Sequence, residues 1–99
     1  MARVIWSPRA ANDLQAICQY IERGSGYYAR LVAERIVAAV EMIADFPEAG
    51  SIVPEYESPL IRERLVHRYR IVHRISGDTV EIVTIAHGSA QLPRLKELE

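Results

Sequence analysis

The chain has 99 residues, 49% of them hydrophobic and 25% charged, with a single cysteine and a formal net charge of −1. That length holds one core, so residues 1–99 read as a single domain, and the aliphatic composition excludes a disordered chain. The lone Cys18 excludes an internal disulfide, no apolar run approaches the roughly 20 residues of a membrane helix, and the N-terminus lacks signal-peptide patterning, so a cytoplasmic protein without a membrane partner is expected.

Taken in chain order, Arg3 to Trp6 is short and β-prone, and Ser7-Pro8 then supplies an N-cap and a first-turn proline. A helix follows in which Ala10, Leu14, Ile17 and Ile21, with Cys18 beside them, form an apolar stripe, while Asp13, Gln15, Gln19 and Glu22 face elsewhere. Gly24 to Gly26 ends it. A second helix carries Ala29, Val32, Ala33, Ile36, Val37, Val40, Ile43 and Ala44 on a wider apolar face and stops at Phe46-Pro47, since the residue before proline is pushed out of the α region. The two helices read as an antiparallel hairpin.

From Pro47 to Pro59 three prolines and no burial period predict a loop. Leu60 to Val66, Tyr69 to Ile75 and Thr79 to Ala86 read as three strands, the last two joined by Ser76-Gly77-Asp78. The expected class is therefore α+β: an N-terminal strand, a helix hairpin and a three-stranded antiparallel meander, in the order β-α-α-β-β-β. On alternation, Tyr69, Ile71, His73 and Ile75 take the face covered by helices, and Arg68, Arg70, Val72 and Arg74 the other. The run Arg62 to Arg74 holds five arginines opposed only by Glu63. In a nearly neutral chain it reads as a local positive patch on the open face of the sheet or its rim.

Several segments in order, VIWSPRAANDLQAICQYI, FPEAG after the second helix, IRERLVHRYRIVHRI and the closing IVTIAHGSAQLP, make the chain resemble the RelE/ParE superfamily of toxins from bacterial type II toxin–antitoxin modules. The wording is closer to the ParE branch, often labelled plasmid stabilisation proteins. That resemblance implies growth arrest by a toxin that binds DNA gyrase and is neutralised by a ParD-like cognate antitoxin, with operator DNA reached only through the antitoxin. The other branch implies a ribosome-dependent endoribonuclease acting on messenger RNA, and both remain open at this point, as does an inactive homologue kept as the antitoxin-binding half of an autorepressor.

RNA cleavage needs a base for the 2′-hydroxyl, a cation at the phosphorus and an acid for the leaving oxygen. Under the ribonuclease branch, Arg70 matches a phosphate-stabilising arginine, with His87 and Arg62 as companions. The position three after His87 is Ala90, however, and Lys96 is the only lysine, so the reading favours binding over catalysis. A patch of five arginines still projects its field over a Debye length of about 8 Å.

Under the ParE reading, Arg62, Arg64, Arg68, Arg70, Arg74, His87, Arg94 and Lys96 are candidates for target or antitoxin contact. The plainer alternatives are solvated strand arginines paired with acids such as Glu81, and a His87 that caps the strand end. His73 reads as a packed core histidine. His67, His73 and His87 lack metal-ligand spacing, so neither a metal nor a cofactor is expected. Leu92, Leu95 and Leu98 recur at steps of three, as in a short amphipathic turn or a tail docked on the sheet.

Overall fold

A computed structural model describes residues 1–98. Its elements are β1 (Arg3–Trp6), α1 (Pro8–Glu22), α2 (Gly26–Asp45), β2 (Ser51–Ile52), β3 (Ile61–Val66), β4 (Tyr69–Ser76), β5 (Thr79–His87) and a closing 3₁₀ turn at Leu95–Leu98. The helix hairpin and the β3-β4-β5 meander lie where the sequence places them. The meander is the inner part of a larger sheet ordered β1-β5-β4-β3-β2. β1 joins it parallel to β5, and β2 adds two residues antiparallel to β3 inside the segment expected to be loop. No helix among the described residues is long and apolar enough to cross a membrane.

Local chemistry sets the helix ends. The Ser7 hydroxyl accepts from the Ala10 N–H at 3.0 Å with Pro8 in the first turn, and Ser25 caps α2 by accepting from the Tyr28 N–H. α2 buries Ala29, Val32, Ile36, Ala39, Val40, Ile43 and Ala44. Val37, expected on that face, is instead 44% exposed. One residue is a 100° step around a helix, and the buried stripe is centred on Ile36 and Ile43, which leaves Val37 on its flank.

The two sheet faces carry separate cores. The helices cover Ile71, Val80, Ile82 and Ile85. The other face, expected to be open, holds a smaller cluster of Val53, Ile61, Val72, Val83 and Leu92, with Tyr56, Leu95 and Leu98 packed against it. The leucines at steps of three thus dock the C-terminal segment on the sheet, and the Tyr56 hydroxyl donates to the Pro93 carbonyl. Val53 is fully buried and anchors the preceding loop. In β5, Thr84 pairs with Val72 and Ile82 with His73, leaving Val83 as the extra residue of a β-bulge. The bulge exchanges faces along β5, so that Val80 and Ile82 before it and Ile85 after it all meet the helices.

β1 ends opposite Ile82, so the later part of β5 has no neighbouring strand on that side. Side chains of the first helical segment take its place. The Ser7 hydroxyl donates to the Val83 carbonyl at 2.9 Å, and the Asp13 carboxylate accepts from the Thr84 hydroxyl at 2.6 Å and the Ile85 N–H at 3.0 Å. Asp13, read as facing away, therefore faces the sheet and satisfies a buried backbone donor. Asp13→Ala is expected to cost about 2 kcal/mol of stability, the scale of a hydrogen bond to a charged acceptor plus an orphaned donor. Asp13→Asn, which keeps an acceptor oxygen, should cost less in urea denaturation.

Candidate functional site

The β3-β4 register decides what the arginine run can do. Directly paired residues share a face: Arg62 pairs with His73 and Arg64 with Ile71, whereas Leu65 pairs with Arg70 and Ile61 with Arg74. Ile71 belongs to the helix-covered core and Ile61 to the opposite cluster. Arg62 and Arg64 therefore point to the helix side, and Arg70 and Arg74 to the other. Arg68 sits in the two-residue turn between the strands. The five charges, clustered in sequence, do not form one patch.

Most of them are engaged. Arg62 donates through Nε to the Pro59 carbonyl and through Nη1 to the carbonyls of Glu48 and Gly50. Beside it, buried His73 shares a 2.8 Å hydrogen bond with the Pro47 carbonyl. A carbonyl only accepts, so Nε2 carries the proton. The cross-strand pair Arg62 and His73 thus clasps the turn after α2. Gly50 allows the close approach, because a Cβ there would lie 2.7 Å from the Glu63 carbonyl oxygen. Burial pushes the His73 imidazole below its ordinary value, with Arg62 and Arg64 acting in the same direction and the Pro47 hydrogen bond against it. Arg64 has a buried Nε with no partner among the described residues.

Arg70 is the most constrained of the five. Its Nε and Nη2 donate to Glu63 at 2.6 and 2.9 Å, and its Nη1 and Nη2 donate to Glu55 at 2.7 and 2.9 Å. Both edges of the guanidinium are held by carboxylates. Hydrogen bonding from Arg70 lowers the Glu55 carboxyl to about 2, and the two acids, Glu55 first, push the Arg70 guanidinium further above its ordinary value. Arg74 donates to Glu81 at 2.9 Å and to the Leu98 carbonyl at 3.1 Å. Arg94 pairs with Glu97 at 3.3 Å on the surface, and Lys96 is exposed.

His87 lies on the other side of the sheet from Arg70. It packs edge-to-face on Tyr69 with ring centroids 5.8 Å apart, and Tyr69 packs against the helix-side core. Tyr69 and Arg70 are neighbours on one strand and point to opposite faces. The Ser89 N–H donates to His87 Nδ1 at 3.1 Å, which leaves Nε2 to carry the proton of the neutral ring. His87, Arg68 and His67 line a groove of about 720 Å³ with Tyr20, Tyr28 and Ile17. His67 has a left-handed backbone (φ 54°), and α2 holds its ring through a 3.2 Å hydrogen bond from Arg35 and an edge contact with Tyr28. His73 is remote from this groove, and no group of three or more metal-ligating side chains occurs among the described residues.

Sequence reasoning named Glu63 only as the one acid opposing the arginine run and missed both it and Glu55 as partners of Arg70. The tight β3-β4 turn contained the signal for Glu63, because pairing Val66 with Tyr69 places Glu63 two positions along from Arg70's partner on the same face. Glu55 lies in a segment without a period and carried no signal.

The chain matches a family model described as "ParE toxin of type II toxin-antitoxin system, parDE" over residues 4–92. Toxin RelE2 of Caulobacter vibrioides is 34% identical over 89 residues, which span 90% of this chain and 98% of that protein. Among solved structures, a chain of the chromosomal ParDE TA system from P. aeruginosa superposes with a TM-score of 0.74 at 24% identity, covering 88% of this chain and 96% of that one. A chain of the YoeB dimer from Staphylococcus aureus shares the fold more loosely, at a TM-score of 0.54 and 17% identity over 87% of this chain and 95% of that one. The chain therefore belongs to the ParE family of toxins from type II toxin–antitoxin systems, within the RelE/ParE superfamily.

Proposed function

We propose that this toxin arrests replication by binding DNA gyrase, without catalysing a reaction, and that a cognate ParD-like antitoxin neutralises it. The observation that carries this reading is the separation of Arg70 from His87 across the sheet. A ribonuclease built on them needs a cation and an acid or base converging on one phosphate. Here Arg70 is already held by two carboxylates on one face, while His87 sits beside Tyr69 on the other. The split of the remaining arginines points the same way, since phosphate-driven RNA binding draws on a continuous basic surface. Operator DNA would be reached only through the antitoxin, because a chain of net charge −1 has little electrostatic attraction for a duplex of its own.

Pulse labelling within minutes of inducing the chain without an antitoxin is the test. Early loss of DNA synthesis is the expected result, with inhibition of supercoiling or trapped cleaved plasmid when the purified protein meets gyrase. Early loss of protein synthesis would assign the ribonuclease activity instead. Unchanged rates of both, with soluble folded protein present, would identify an inactive antitoxin-binding partner.

A further inference from the structure

The Arg70 cluster holds one more carboxylate than charge balance requires. Glu63 is fixed on β3 and its side chain is 13% exposed, whereas Glu55 comes from the irregular segment after β2 and is 42% exposed. Glu63 takes Nε and Nη2, and Glu55 takes the outer edge, Nη1 and Nη2. Arg70 borders a groove with Ser51, Leu65 and Gly88, and Glu55 borders a second with Tyr56, Leu92 and Pro93. The two partners of the Arg70–Glu55 contact therefore each border a concavity with an apolar wall, and Leu65 in the first is 67% exposed.

We infer that the outer edge of Arg70 is a carboxylate-binding subsite, occupied in the free protein by Glu55, from which an acidic side chain of a partner protein displaces it. Such an exchange trades one monoanion for another in the same two-pronged geometry, so the partly buried Glu63 is never left without its counter-charge. A phosphate dianion fits less well, because with Glu63 in place it would leave the cluster one charge more negative than Glu55 does. The specificity this predicts is for an acidic residue flanked by aliphatic ones, which would lie along Leu65 on one side and Tyr56 and Leu92 on the other. The inference concerns recognition at this face and holds whichever macromolecule the toxin attacks.

The test follows the backbone N–H resonances of Glu63 and of residue 70 in the full chain by NMR while titrating the blocked tripeptide leucyl-glutamyl-leucine into wild type and Glu55→Ala. Loss of the competing carboxylate should lower the half-saturating concentration at least about tenfold, a change of about 1.4 kcal/mol. Adding Arg70→Lys to Glu55→Ala, which keeps a charge beside Glu63 and loses the fork, should remove most of that gain. Equal half-saturation in wild type and Glu55→Ala, or no binding to either, would overturn the subsite. So would equal binding of leucyl-glutaminyl-leucine, or tighter binding of inorganic phosphate than of the acidic peptide.

Discussion

Arg70→Ala is expected to cost about 3 kcal/mol of folding stability or somewhat more, the scale on which removing one partner of a buried ion pair leaves the other uncompensated. The side chains of Arg70 and Glu63 are 11% and 13% exposed, so the substitution would leave Glu63 without this partner in a site nearly closed to water. The double replacement Arg70→Met with Glu63→Leu should recover most of the loss, because it removes both charges and fills the volume. Urea denaturation of the three proteins checks this. A single variant as stable as wild type would mean that Glu63 is well solvated. Glu55 adds a separate acid signature. Its carboxyl is lowered from 4.5 to about 2 in the folded chain. Its contribution is therefore present above pH 4.5 and is lost as pH falls towards 2, since the unfolded chain takes up that proton first. Wild type should lose stability through that window, and Arg70→Ala should lose less.

His73→Ala is expected to cost about 3 kcal/mol, combining a cavity in a fully buried site with an orphaned Pro47 carbonyl. The site also makes stability depend on pH in a window separate from that of Glu55. Burial holds the imidazole neutral below its ordinary value of 6.5. As pH falls below about 6.5 the unfolded chain binds a proton that the folded chain refuses, so stability declines. Comparing denaturation midpoints at pH 7.5 and 5.5 should show that decline in wild type and its absence in His73→Phe, which fills the space without titrating. An equal pH slope in both proteins would place the titrating group elsewhere. Loss of the clasp should also reach beyond the core, because Arg62 and His73 together hold the turn that leads into β2.

Much of the architecture is legible in the sequence. The helix boundaries rest on Ser7-Pro8, Gly24 to Gly26 and Phe46-Pro47, and the meander on period-two alternation broken by turn residues, all of which act within a few residues of one another. The leucines at 92, 95 and 98 also announced a docked tail as one of two readings. β2 and the parallel partnership of β1 were not legible, because a two-residue strand has no period and a parallel pairing joins residues some 76 apart in sequence. The smaller core on the second face was missed because Val53 and Leu92 come from irregular segments.

The candidate site divides along the same line. Sequence alone determined which residue types were available, an arginine-rich strand pair and a histidine at the end of the last strand, and carried the family resemblance with them. Only the tertiary structure decided that Arg62 and Arg64 face the helices while Arg70 and Arg74 face away, that Glu55 and Glu63 close on Arg70, and that His87 stands on the opposite face. Charge along a chain is additive and can be counted. The field at a site depends on register and on which carboxylates the fold brings within hydrogen-bonding distance, and those are set by contacts between segments far apart in sequence.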